Sequence, residues 1–267
     1  MLASAKRLAL GLVLIAAASA ALLLSDSGRR RRGTVQQPRV AILQHASQPI
    51  LDEGVLGMID GLAEAGFVDG RTIAIRRFNA EGDMATANTI AKEIAGGDAD
   101  LVLTATTVSL QVVANANRVA RKKHIFALVS DPVAAGVGIT GERPDQHPPN
   151  LAGFGTMQPV RETFAMARKV FPGLKRVGEV WNPAEANSEA QTKIARAVCR
   201  EMGIELVEAN VDGSSGVSEA ARSLVARDVD ALWALGDVTV LTALETMIAA
   251  ARGAGIPVFT SIPGSAE

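Results

Sequence analysis

The chain has 267 residues, of which 48% are hydrophobic, 3% are aromatic, one is cysteine and three are histidine. This composition supports a sizeable core and excludes wholesale disorder, an internal disulfide framework and a cysteine-based zinc site. The formal net charge is −1, but residues 34–267 carry 21 basic and 27 acidic side chains, and this acidic balance argues against binding of nucleic acid through a broad basic face.

The first 33 residues have the layout of an export signal or a membrane anchor. Lys6 and Arg7 precede an apolar run over residues 8–24, and Ala18-Ser19-Ala20 offers a cleavage site. The four arginines of Arg29–Arg32 oppose translocation and are attracted to anionic lipid headgroups. The sequence is therefore compatible with a cleaved signal peptide and with an uncleaved membrane tether through residues 8–24.

From Arg39 onward the first half of the chain alternates strand-like and helix-like segments. The pattern predicts strands over 40–43, 72–78, 101–103 and 125–129, and helices over 51–65, 84–95 and 108–120. Asp83 is a good N-cap for the second of these helices. Residues 131–150 are rich in proline and glycine and predict a loop or crossover.

The second half repeats the alternation. It predicts strands over 151–154, 176–181, 204–209, 231–235 and 256–259, and helices over 160–170, 185–202, 217–226 and 238–251. Strands that alternate with helices of this length indicate parallel sheets. The predicted fold class is α/β with two Rossmann-like lobes, the first over 34–135, a crossover over 136–150 and the second over 151–267.

Ligands of such sheets bind beyond the carboxyl ends of the strands, so the loops after the strands hold the candidate site residues. The candidates are Gln44, His45, Asn79, Thr104, Thr106, Thr107 and Asp131 in the first lobe, and Asn187, Ser188 and Asp237 in the second. Hydroxyl groups at a helix N-terminus favour a carboxylate or phosphate ligand, although Thr106 or Thr107 can equally be a simple N-cap. Asp237 is either a counter-ion for an ammonium group or a helix cap.

Other chemical motifs are weak. Residues 136–141 match G-x-G-x-x-G but run into Glu142-Arg143-Pro144 rather than into a helix, which argues against a dinucleotide site. No Walker A, nucleophile-elbow or zinc-protease pattern occurs, and we expect no catalytic residue, no cofactor and no metal. Cys199 fits a core position, and Trp181 and Phe78 fit either the core or a stacking contact with an aromatic ligand.

Five segments in order resemble the ABC-transporter substrate-binding family that includes tryptophan-binding and other aromatic amino-acid-binding proteins. The resemblance runs from Arg39 to Pro263, and its segments are the start of the first lobe from Val40 to Gly70, Asn79–Asp83, Ser130–Gly136, Asn182–Ser188 and Asp237–Val240. Together, five motifs in the family's order are fairly specific.

The resemblance implies a type I periplasmic-binding-protein fold that clamps a ligand between two lobes and hands it to an ABC permease in the membrane. Thr106 and Thr107 would hold a ligand carboxylate, Asp237 would face an α-amino group, and Asn187 and Ser188 would form further hydrogen bonds. Residues 44–49 depart from the family's usual His-Pro pattern. The family's usual length implies that the last C-terminal strand and helix are lacking here.

These observations favour a solute-binding component of an ABC importer, periplasmic or otherwise extracytoplasmic. We expect it to bind an amino acid or related small carboxylate without covalent chemistry. A membrane-anchored ligand sensor built from the same lobes is the first alternative, and a Rossmann-type enzyme is the second. The identity of the ligand and the oligomeric state are not readable from the sequence.

Overall fold

The computed structural model describes residues 17–20, 37–141, 143 and 145–262. Residues 38–267 belong to one compact unit. Apart from the helical residues 17–20, the predicted export segment 1–33 lies outside the described residues. No helix in the described ranges is long and apolar enough to cross a membrane.

Five parallel strands form the first sheet, in the order β2-β1-β3-β4-β5. They are β1 (Arg39–Gln44), β2 (Ala74–Asn79), β3 (Leu101–Ala105), β4 (Lys123–Val129) and β5 (Leu151–Gly155). The helices between the first four strands are α1 (Pro49–Glu64), α2 (Met84–Gly96) and α3 (Thr107–Ala116). Apolar side chains of α2 and α3 pack on one face of the sheet, and those of α1 pack on the other.

β5 corrects the predicted boundary between the lobes. Sequence analysis assigned this strand to the second lobe, but it pairs with β4 in the first sheet. The crossover leaves the carboxyl end of β4 and returns along α3, where Ala135 packs against Leu110. Because the crossover contains no helix, its return to the same sheet left no periodic signal in the sequence. The first sheet therefore extends to Gly155.

The second sheet has four parallel strands, in the order β7-β6-β8-β9. They are β6 (Arg176–Trp181), β7 (Glu205–Asn210), β8 (Ala231–Ala234) and β9 (Val258–Thr260). The helices are α4 (Val160–Val170), α5 (Ala186–Met202), α6 (Val217–Val225), α7 (Val238–Thr242) and α8 (Leu244–Ala254). α4 and α5 cover one face, and α6, α7 and α8 cover the other. Two parallel-sheet lobes confirm the predicted fold class.

Small apolar side chains build most of both cores, and the second lobe adds an aromatic cluster. The ring of Phe164 meets those of Trp233 and Phe259 edge-on, with centroids 5.0 and 5.4 Å apart. Cys199 is buried in this core, as predicted, and burial raises the pKa of its thiol to about 12. The thiol is therefore protonated and inert at physiological pH.

The single helix predicted over residues 238–251 is two helices in the structure. The pattern over 238–251 is interrupted at Ala243, whose φ of −119° is not helical, so α7 ends at Thr242 and α8 begins at Leu244. The short α7 follows β8 directly. Its N-terminus therefore lies at the carboxyl edge of the second sheet, where the candidate site residues lie.

Candidate functional site

The carboxyl edges of the two sheets approach each other through polar side chains. Gln191 of α5 lies with its Nε2 3.4 Å from the Oγ of Ser130, which follows β4. The same Ser130 hydroxyl donates to the Oε1 of Gln158, ahead of α4, at 3.4 Å. Asp131 also lines a cavity of about 660 Å³ together with Arg161 and residues of α5, but no other candidate site residue lines that cavity. These contacts bring the carboxyl edges of the two sheets together, and we call the space between their strand-end loops the cleft.

Two buried polar atoms after strands of the first sheet have no hydrogen-bond partner. They are Nδ1 of His45, after β1, and Oγ1 of Thr107, after β3. His45 is 5% exposed and Thr107 is 2% exposed. Buried polar groups in native proteins are nearly always hydrogen-bonded. Glu179, Trp233 and Ser261 also have an unpartnered buried atom, but His45 and Thr107 follow strands of the first sheet and are therefore the candidates for contact with a ligand.

The backbone that presents Thr107 is strained. Thr106 is the N-cap of α3, and its Oγ1 accepts a hydrogen bond from the N–H of Ser109 at 3.3 Å. The φ of Thr106 is +96°, a conformation that a β-branched residue rarely adopts. Such strain costs roughly 1–3 kcal/mol and clusters at ligand sites. Thr106 therefore acts as a cap, while Thr107 keeps its hydroxyl free beside the N–H groups of the first helical turn.

Thr104, in contrast, does not belong to the cleft. It lies inside β3, fully buried, with its Oγ1 2.8 Å from Nε2 of His124 on β4. Burial lowers the pKa of His124 to about 4, so this imidazole is neutral at physiological pH. The strand continues past the predicted end at residue 103, because threonine is a favourable strand residue. The role of Thr104 in ligand binding stays a prediction, and its hydrogen bond inside the sheet is an argument against that role.

Three other candidates shape their own loops. Gln44, the last residue of β1, donates through Nε2 to the carbonyl of Ala46 at 2.8 Å. Asn79 accepts from a backbone N–H of its turn at 2.9 Å, and Asp131 accepts from two, at 2.9 and 3.0 Å. These bonds hold the loop conformations on the first-lobe side of the cleft.

His45 responds to the facing lobe. Burial lowers the pKa of its imidazole, and the carboxylates of Glu185 and Asp83 oppose that shift. Glu185 belongs to the second lobe, so its charge reaches across the cleft. Because burial prevails, His45 is neutral at physiological pH and can offer an uncharged hydrogen bond to a ligand.

In the second lobe, Asp237 is the centre of a buried hydrogen-bond cluster. It caps α7 by accepting from the N–H of Val240 at 2.9 Å. Its second oxygen accepts from the N–H of Asn182 at 2.7 Å and from the hydroxyl of Ser188 at 2.6 Å. The structure therefore shows Asp237 as the cap of α7. The hydroxyl of Ser188 is used in a hydrogen bond to Asp237.

A second carboxylate, Glu185, holds the same helix end. Its oxygens accept from the N–H groups of Val238 and Thr239 at 3.0 and 2.9 Å. Asn187 donates to the carbonyl of Gly236 at 2.8 Å and to Glu185 at 3.3 Å. The two loops of the second lobe are thus joined into one rigid polar wall.

This wall is acidic and lacks a cation. Burial raises the pKa of Asp237 to about 7, with a further contribution from the charge of Glu185. In the part of the chain that the structure describes, neither carboxylate takes part in an ion pair. A buried carboxylate pair of this kind favours an ammonium group as its neighbour.

Sequence reasoning missed three residues here. Glu185 lies in a loop that was singled out, but its burial depends on contacts with α7 that no local pattern encodes. Ser130 stands next to the predicted Asp131, and Gln191 follows Asn187 by one helical turn. Their positions after a strand and on the inner face of α5 are the signals that could have identified them.

Neither candidate for aromatic stacking is free. Trp181 is buried, donates through Nε1 to Glu208 at 3.0 Å and lies under the guanidinium of Arg196, 5.3 Å from the ring centroid. Phe78 packs against the first-lobe core, with Arg76 4.5 Å from its ring centroid. Both side chains therefore contribute to packing within their own lobes and not to the cleft.

Metal and nucleotide chemistry find no support in the described residues. They contain no group of three or more histidine, cysteine, aspartate or glutamate side chains that could hold a metal ion. Residues 136–141, the glycine-rich match, lie in the crossover between β4 and β5, which leads into a strand and not a helix. The arrangement is suited to binding a small ligand.

Known proteins match most of the chain in sequence. A family model described as ABC transporter substrate binding protein matches residues 39–267. A tyrosine-binding protein of Clostridioides difficile (strain R20291) is 28% identical over 236 residues, which is 88% of this chain and 67% of that protein.

Two solved structures of similar fold represent different states. A domain from Streptococcus pneumonia in complex with L-Trp aligns with a TM-score of 0.79 at 24% identity, covering 85% of this chain and 75% of that chain. The ligand-free, open structure of a substrate binding protein with adhesive properties from Clostridium difficile aligns with a TM-score of 0.56 at 29% identity, covering 84% and 74%.

Proposed function

Because the chain belongs to the ABC transporter substrate-binding protein family and is therefore not an enzyme, we propose that it binds an aromatic amino acid in the cleft between its lobes. The observation that carries the proposal is the unpartnered pair of His45 Nδ1 and Thr107 Oγ1. The tyrosine named for one relative and the L-Trp bound to a structural neighbour support the ligand class.

The first lobe supplies the site for the ligand carboxylate. The hydroxyl of Thr107 lies in the first turn of α3, where unpaired N–H groups and the helix dipole favour negative charge. His45 adds a neutral imidazole edge. A carboxylate bound here would satisfy both unpartnered atoms, which removes the cost of leaving them buried without hydrogen bonds.

The second lobe supplies the counter-charge for the ligand ammonium group. Asp237 and Glu185 are held by backbone N–H groups of α7, and neither is paired with a described cation. An amino acid placed with its carboxylate on the first lobe and its ammonium group toward the second would complement both surfaces. Contributions from both lobes would couple binding to closure.

The arrangement of the lobes is consistent with a closed form. Gln191 and Ser130 bridge the lobes with their polar atoms 3.4 Å apart. The chain also aligns with a higher TM-score to the L-Trp complex than to the ligand-free, open structure. We infer that the ligand stabilises this bridge.

We place the protein outside the cytoplasmic membrane, where it would deliver its ligand to an ABC permease. The signal-like or tether-like segment 1–33 supports this location. Retention of residues 8–24 in the mature protein would favour the alternative of a membrane-anchored sensor, and the block Arg29–Arg32 is the observation behind that alternative. The N-terminus of the mature protein distinguishes the two.

The ligand proposal is tested by a thermal-shift panel. L-tyrosine and L-tryptophan should raise the Tm, and a ligand at 100 times its Kd should add about 2.7 kcal/mol to the free energy of unfolding. Tyramine, which lacks the carboxylate, and 3-(4-hydroxyphenyl)propionate, which lacks the ammonium group, should each stabilise far less than L-tyrosine. Equal stabilisation by all three compounds would contradict the two-lobe assignment.

A further inference from the structure

A second cavity, of about 650 Å³, lies in the first lobe away from the cleft. One wall comes from the C-terminal half of α3 and the turn after it, and the other comes from residues 135–138 and 148–151 of the crossover. The cavity reaches His124 near the amino end of β4, whereas Thr107 lies beyond the carboxyl end of β3. Its volume is typical of small-molecule sites.

The charge of this cavity is opposite to that of the folded chain. Arg118 and Arg121 line it, and none of the described lining residues is acidic. Arg118, Arg121 and Asn115 are exposed residues that line the cavity, and their side chains form no hydrogen bond or ion pair with another described residue. Guanidinium groups match the planar, bidentate geometry of carboxylate and phosphate.

The remaining walls suit the body of an organic ligand. Val137, Pro148 and Leu151 contribute apolar surface. His124 is 1% exposed and its Nε2 is engaged by Thr104. Because burial lowers the pKa of His124 to about 4, the positive charge of the cavity comes from the arginines alone.

We propose that this cavity is a second ligand site, distinct from the cleft, for a small organic anion whose carboxylate or phosphate group lies between Arg118 and Arg121. The same chemistry is offered by a free metabolite and by the headgroup of an anionic phospholipid. The apolar wall holds the rest of the molecule.

Binding to the full chain tests the site. The probes are citrate, glycerol 3-phosphate, and vesicles of phosphatidylcholine with and without phosphatidylglycerol. The variant R118Q/R121Q removes both guanidinium groups, and R77Q/R252Q removes two exposed arginines elsewhere, so the two variants lose equal charge. Affinity for L-tyrosine is measured in parallel to show that the cleft is intact.

We expect at least one probe to bind saturably, tenfold or more weakly to R118Q/R121Q and unchanged to R77Q/R252Q. Binding of the soluble anions identifies a free ligand, and binding only of vesicles containing phosphatidylglycerol identifies a headgroup. The absence of saturable binding, or equal weakening in both variants, would overturn the proposal. Neither result bears on the cleft, whose own test is L-tyrosine binding.

Discussion

Two threonines three residues apart have different surroundings. The hydroxyl of Thr104 is engaged by His124 inside the sheet, and that of Thr107 is buried without a partner beside the cleft. Their roles differ because Thr104 lies in β3, whereas the chain turns at Thr106 and places Thr107 in the first turn of α3. The pair provides a matched test of the site.

Thr107→Val should weaken L-tyrosine binding by about tenfold, because valine keeps the shape and removes a hydroxyl whose hydrogen bond to a charged carboxylate contributes about 1.5 kcal/mol. Calorimetric titration measures the loss. Thr104→Val is the control: it should lower the free energy of unfolding by about 1 kcal/mol and leave the affinity unchanged. Unaltered binding by Thr107→Val would remove this residue from the site.

The raised pKa of Asp237 predicts that ligand binding depends on pH. The pKa of its carboxyl group is raised from 3.8 to about 7 in the folded chain. The folded state therefore binds the proton more tightly than the unfolded state does. This contribution to the free energy of unfolding is lost as pH rises through about 7. An ammonium ligand instead prefers the ionised carboxylate. Affinity should therefore increase about tenfold from about pH 6 to about pH 8.

Titration calorimetry in buffers of different ionisation enthalpy would also detect proton release near neutral pH. Asp237→Asn keeps a similar shape without the titrating carboxylate and should bind weakly at every pH. A flat affinity profile in the unsubstituted protein would show that Asp237 acts only as the cap of α7.

At the scale of elements, most strands and helices were predictable from the periodicity of the sequence. The pairing of the strands was harder to predict. The run 151–154 was recognised as a strand, but its partner is set by the return of the crossover along α3. Similarly, the apolar pattern over 238–251 does not reveal the break at Ala243. Burial of Glu185 depends on the N–H groups of α7, so its importance emerges only from the folded chain.

Gly153→Ala tests the placement of β5. A Cβ at Gly153 would collide with the carbonyl oxygen of Phe126 on β4, so we expect a loss of roughly 1–3 kcal/mol in the free energy of unfolding. Urea denaturation measures it. Ala152→Ser, at the exposed neighbouring position, should change stability by less than about 0.5 kcal/mol. Equal stability of the two variants would contradict the pairing of β5 with β4.

At the scale of the whole molecule, the proposed function depends on two polar surfaces, one from each lobe. The first lobe offers a neutral imidazole, a hydroxyl and a helix N-terminus, and the second offers two carboxylates without a described cation. A zwitterion has the complementary charges in one small molecule. Gln191 Nε2 and Ser130 Oγ, one from each lobe, lie 3.4 Å apart.

The most direct measurement of this central claim is a crystal structure of the protein with L-tyrosine. We predict the ligand between the lobes, with carboxylate oxygens within about 3.2 Å of Thr107 Oγ1 and His45 Nδ1 and the ammonium group directed toward Asp237 and Glu185. A ligand bound outside the cleft, or bound in it with the carboxylate against the second lobe, would contradict the account.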